Sequence, residues 1–114
     1  MKPQHFLSTS EMVDLVKNIL KPNVVMPTVH LIIKGEVQGV FYRATAKKTA
    51  DELGISGWIK NTEEGNVEAL VTGSRQQLEK FISWCKQGPV KAKISEVVST
   101  EQTETFFESF VIIR

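Results

Sequence analysis

Between residues 35 and 43 the chain reads Gly-Glu-Val-Gln-Gly-Val-Phe-Tyr-Arg, after an apolar, strand-like run and before a segment with helical periodicity. Gly35 and Gly39 permit a turn whose amide N–H groups converge, and a helix starting behind such a turn adds the partial positive charge of its N-terminus. Arg43 would then place a fixed guanidinium, in the first helical turn, beside those amides. A planar fork of N–H donors matches two oxygens of one phosphate. The chemistry these residues point to is therefore phosphate binding by a backbone cradle with an arginine clamp. The nucleotide-binding patterns G-x-x-x-x-G-K-[ST] and G-x-G-x-x-G are both missing. The same letters also suit an ordinary glycine-containing strand-to-helix connection with a surface arginine. Asn61, followed by Thr62 and Gly65, is compatible with nothing more than a turn residue.

The other residue types that carry chemistry offer less. His5 and His30 have no second His or Cys at ligand spacing, so no metal site is expected. Cys85 falls on an apolar helical stripe, where a thiol is core rather than nucleophile. Trp58 and Tyr42 read as core or pocket wall.

Elements must bring Arg43 and Asn61 together if they act jointly. Thr28 to Lys34 alternates, with Val29, Leu31 and Ile33 on one face, and reads as a strand. Tyr42 to Leu53 carries Tyr42, Ala46, Ala50 and Leu53 on one helical face, with Gly54 as the stop. Ile55 to Lys60 and Val67 to Thr72 read as two strands of a hairpin. Ser74 and Gln77 form a capping box ahead of the stripe Leu78, Phe81, Ile82 and Cys85, and Gly88-Pro89 ends that helix. Ile94 to Thr100 and Phe106 to Ile113 read as one strand or two, joined by the polar residues Glu101 to Glu104.

The order strand, helix, strand, strand, helix, strand predicts an α+β fold of the ferredoxin-like, split-βαβ type: an antiparallel sheet with both helices packed on one face. A right-handed crossover leaves the first two strands parallel, so they finish at the same sheet edge. Asn61 is thereby expected at the end of the sheet that holds the cradle.

Ahead of this unit, Ser8 and Glu11 form a capping box, and Met12, Leu15, Val16, Ile19 and Leu20 share a helical face closed by Pro22. The expectation is an N-terminal helical extension over residues 1–27, its stripe packed on the domain of residues 28–114.

The segment Gly35 to Arg43 resembles the acylphosphatase signature G-x-V-Q-G-V-x-[FY]-R, matching it at Gly35, Val37, Gln38, Gly39, Val40, Tyr42 and Arg43. A second block of that family, G-W-x-x-N-x-x-x-G-x-V, is matched by Gly57, Trp58, Asn61, Gly65 and Val67. The resemblance covers roughly Thr28 to the C-terminus. It implies hydrolysis of acyl phosphates to a carboxylate and inorganic phosphate, without metal or cofactor. It further implies that Gly35, Glu36, Val37, Gln38, Gly39, Val40, Phe41 and Arg43 bind the phosphoryl group, and that Asn61 orients the attacking water. Gln38 is expected to shape the loop or lend its backbone amide. At the variable position after Gly35 stands Glu36, an acidic residue beside a loop meant to receive an anion. Its side chain is expected to face solvent.

Composition bounds the partners. The 114 residues suffice for one domain with its own core, 41% hydrophobic and 24% charged. A net charge of +1 gives no bulk attraction to nucleic acid or anionic membrane. RNA-recognition modules share this chain order, but their aromatic RNP strings do not occur. One cysteine excludes an intrachain disulfide and fits a reducing compartment. Glu11, Asp14 and Lys17 interrupt the apolar stretch a secretory signal would need. A cytoplasmic monomer acting on a small-molecule acyl phosphate is expected. The alternative is a non-catalytic anion-binding or interaction domain of the same fold.

Overall fold

The structure is a computed structural model and describes Ser8, Thr9 and residues 26–114. The expected N-terminal helix lies outside the described residues. From residue 28 onward the order is β1 (Thr28–Glu36), α1 (Tyr42–Leu53), β2 (Ser56–Asn61), β3 (Val67–Thr72), α2 (Arg75–Gln87), β4 (Lys93–Gln102) and β5 (Phe110–Ile112). The strands form one sheet in the order β4-β1-β3-β2-β5. β3 is antiparallel to both β1 and β2, and β4 is antiparallel to β1.

The core lies between the sheet and the two helices. Leu31 and Ile33 of β1, Ile59 of β2, and Val67, Ala69 and Val71 of β3 supply the sheet side. Strand alternation sends these residues one way and His30, Lys60 and Glu68 the other, where His30 Nε2 lies 2.7 Å from Glu68 Oε2. Ala46 and Ala50 give α1 a thin face, so it lies close on the sheet, while α2 buries Leu78, Phe81 and Cys85. Phe81 meets Phe110 of β5 edge-on, with ring centroids 6.0 Å apart.

The last apolar run becomes a separate strand. β5 lies on the far edge and runs parallel to β2, so the sheet is mixed rather than antiparallel throughout. The physical reason is the crossover after β4. Thr105 donates its N–H to Thr28 Oγ1 at 2.8 Å, and its carbonyl accepts from Thr72 Oγ1 at 2.8 Å. Thr28 and Thr72 are register partners whose hydroxyls lie 2.7 Å apart. This three-threonine knot carries the chain over the ends of β1 and β3. That explains why Thr28, on the polar parity of its strand, is fully buried. Lys47 then fixes β5 to α1 by donating to the Phe110 carbonyl at 2.8 Å.

Candidate active site

The cradle begins where β1 leaves the sheet. The β1–β4 register shifts between Lys34 and Gly35, and a Cβ at Gly35 would stand 2.0 Å from the Lys93 carbonyl oxygen. Only glycine permits that approach. Gly39, at φ 74° in open space, serves the turn through its backbone alone.

The turn delivers the chain to α1 in an unusual way. The N-cap is Phe41 in the left-handed region, φ 64° and ψ 21°, with no side-chain cap and no acidic residue in the first turn. α2 offers the contrast: Ser74 Oγ accepts from the Gln77 N–H at 3.1 Å, and Gln77 Oε1 accepts from the Ser74 N–H at 2.8 Å. One helix closes its N-terminus with its own side chains, while the other leaves its first amides open. An uncapped N-terminus carrying the positive end of the macrodipole is a site for an anion.

Arg43 sits in that first turn. It lines a cavity of about 330 Å³ together with Val37, Gly39, Phe41, Tyr42, Ala44, Ile112 and Arg114. No carboxylate pairs with its guanidinium among the described residues. A cation in the first turn opposes the helix dipole, so this arrangement is favourable only when an anion joins it.

Asn61 reaches the same sheet edge by register. Ile33 of β1 pairs with Val67 of β3, which pairs with Asn61 of β2. Paired residues share a face, so Asn61 continues the core-facing row of Gly57 and Ile59 and turns toward the helix side. Two strand spacings separate its strand from β1, about 10 Å. Asn61 Oδ1 is buried and has no hydrogen-bond partner among the described residues. Among the described residues it is the one such side-chain atom, and an orphan acceptor of this kind calls for a functional reason.

Gln38 joins the two halves. Its Nε2 donates to the carbonyls of Thr62, at 2.9 Å, and Asn66, at 2.7 Å, both in the turn that follows Asn61. Because both partners only accept, the amide nitrogen must face them. Gln38→Ala forfeits two hydrogen bonds, although each carbonyl keeps a donor within the turn, the Gly65 N–H on Thr62 at 3.2 Å and the Thr62 N–H on Asn66 at 2.9 Å, so unfolding in urea should show a loss of about 1–3 kcal/mol. Gln38→Glu should lose more, since a carboxylate sets lone pairs against lone pairs. A Gln38→Glu protein as stable as the parent would show that the tie carries no weight.

Of the residues expected to form the cradle, Val37, Gly39, Phe41 and Arg43 line the cavity, whereas Gly35, Glu36, Gln38 and Val40 do not, and neither does Asn61, expected to orient the water. Gly35 and Gln38 act through backbone approach and cross-linking. Glu36 is exposed at the end of β1, in register with Lys93. Sequence reasoning missed Ile112 and Arg114, which β5 brings to the cavity. The alternation of Phe110 and Ile112 was visible, but no local signal tells which edge such a strand joins.

Two buried titratable groups stand behind the site. The Tyr42 hydroxyl donates to the Cys85 carbonyl at 2.8 Å. Burial, reinforced by the neighbouring Cys85, pushes the phenol well above its ordinary range. Burial likewise pushes the Cys85 thiol up to about 12, against a small lowering by Tyr42. Neither ionises near neutral pH, so neither supplies a nucleophile or base. No group of three or more His, Cys, Asp or Glu gathers as a metal site among the described residues.

A model of the acylphosphatase family matches residues 29–112. The acylphosphatase of Acaryochloris marina is 40% identical over 95 residues, covering 83% of this chain and all of that protein. The acylphosphatase of Methylococcus capsulatus is 37% identical over 90 residues, covering 78% of this chain and 98% of the relative. Among solved structures, an acylphosphatase from Coxiella burnetii superposes with a TM-score of 0.78 at 31% identity, over 82% of this chain and 99% of that one. With the split-βαβ fold, both sequence blocks and these matches in agreement, the chain belongs to the acylphosphatase family.

Proposed function

We propose that the protein hydrolyses acyl phosphates to a carboxylate and inorganic phosphate without a metal or cofactor. The observation that carries this is the Arg43 guanidinium, without a carboxylate partner among the described residues, in a cavity at the uncapped N-terminus of α1. The loop amides from Gly35 to Phe41 and the Arg43 fork hold the phosphoryl oxygens and stabilise the charge that grows on them in the transition state. Asn61, with a buried and unused Oδ1, accepts a hydrogen bond from the attacking water and aims it at phosphorus. The new P–O bond forms as the bond to the acyl oxygen breaks. The carboxylate leaves with that electron pair, and a phosphoryl oxygen takes the water's proton. An acyl phosphate has a good leaving group, so no side chain need act as base.

The test is hydrolysis of benzoyl phosphate with and without a chelator, alongside Arg43→Ala. Turnover indifferent to the chelator and lost in the variant is expected. Binding of inorganic phosphate without turnover would instead favour a non-catalytic anion-binding domain. The reading places the enzyme in the cytoplasm as a monomer, with no nucleic-acid or membrane partner. The near-neutral net charge supports the lack of nucleic-acid and anionic-membrane partners, and no helix among the described residues is long and apolar enough to cross a membrane.

Glu36 does not impede this chemistry. Exposed and outside the cavity wall, its carboxylate is screened by solvent and salt, so Glu36→Gln should leave KM within about twofold of the parent. A larger drop in KM would mean that its charge reaches the phosphate.

A further inference from the structure

Phosphoryl binding makes use of the Phe41 backbone and leaves its ring unexplained. Phe41 is the one non-glycine residue at positive φ among the described residues, a conformation in which a bulky side chain is an outlier. The residue is 77% exposed and yet forms part of the cavity wall. The bonds made at this position need no ring: the Phe41 carbonyl accepts from the Thr45 N–H at 3.0 Å and from Thr45 Oγ1 at 2.9 Å. Glycine would satisfy both bonds with less strain. A large aromatic held out in water at a strained N-cap points to a ligand that covers it.

We propose that the Phe41 ring contacts the acyl group and selects aryl and other bulky apolar acyl phosphates over small ones. The inference rests on the hydrolase reading given above. A phosphoryl group bound at the α1 amides and Arg43 has Phe41 beside it, immediately N-terminal to the first turn, so the acyl substituent leaves the cradle past this ring. Ile112, only partly buried, adds apolar surface to the same wall. Stacking or edge contact with an aryl ring gives specificity without touching the reacting atoms. Its effect therefore falls on KM rather than on kcat.

The experiment measures kcat/KM for benzoyl and acetyl phosphate in the parent, Phe41→Ala, Phe41→Gly and Phe41→Tyr. Taking the ratio of the two substrates within each protein removes any general loss from a disturbed cradle. The benzoyl-to-acetyl ratio should fall about fivefold in both the Ala and Gly variants, through a raised KM for benzoyl phosphate. Phe41→Tyr, which keeps the ring, should hold the ratio within about twofold. A ratio unchanged in the Ala and Gly variants overturns the inference, as does a Tyr variant that falls with them, since that would trace the effect to the backbone. A parent that hydrolyses neither substrate overturns the hydrolase reading itself, an outcome distinct from hydrolysis with an unmoved ratio.

Discussion

Arg43→Ala should lower kcat/KM for an acyl phosphate by about 10²–10³, the loss that follows removal of one preorganised donor from a developing oxyanion. Both KM and kcat should suffer, because the guanidinium meets the phosphoryl oxygens in the ground state and more strongly in the transition state. Arg43→Lys should recover only part of the rate, since an ammonium restores the charge without the fork. Stability should move the other way. Arg43 has no ion-pair partner among the described residues and places a cation at the positive end of α1. Its removal should leave the unfolding free energy unchanged or raise it by about 0.3–1 kcal/mol. A further check is inorganic phosphate, which should raise the Tm of the parent by mass action and that of Arg43→Ala far less. A folded Arg43→Ala protein with near-parental turnover would falsify the clamp.

Most of this arrangement is legible in the letters, and the parts that are not share a cause. α1 can be bounded at Tyr42 and Leu53 because Gly39 and Gly54 mark its approaches and small alanines keep its apolar face narrow. α2 can be bounded because Ser74 and Gln77 close it locally. Each of these signals acts over a few residues. The path of the chain after β4 is decided by hydrogen bonds that Thr105 donates to Thr28 and accepts from Thr72, 77 and 33 positions away. No pattern within the run from Glu101 to Phe110 encodes them. The placement of β5, and with it the arrival of Ile112 and Arg114 at the cavity, is a tertiary outcome. The left-handed Phe41 is hidden for a related reason: phenylalanine has no preference for that region, and the flanking turn imposes it. Asn61 lies between these cases. Its parity with Gly57 and Ile59 is countable in the sequence, whereas the lack of a partner for Oδ1 appears only once the neighbours are in place.

Asn61→Ala should lower kcat by about 10²–10³ with little change in KM, because a group that aims the water contributes to the transition state and hardly to substrate binding. That split separates Asn61 from Arg43, whose loss raises KM as well. The same substitution should not destabilise the protein. Oδ1 is buried without a partner among the described residues, and an unmet acceptor of this kind costs about 1–3 kcal/mol in the folded state. Ala deletes the orphan and sets the lost side-chain packing against that gain. Urea unfolding should therefore find the variant at least as stable as the parent, in contrast to Gln38→Ala, which removes bonds that are made. Asn61→Asp offers the complementary test: it keeps an acceptor for the water but brings a negative charge toward the phosphoryl group, so KM should rise along with the loss in kcat. A stable Asn61→Ala protein that keeps its rate would leave the buried Oδ1 without a reason, and the water would have to be placed by some other group at this edge of the sheet.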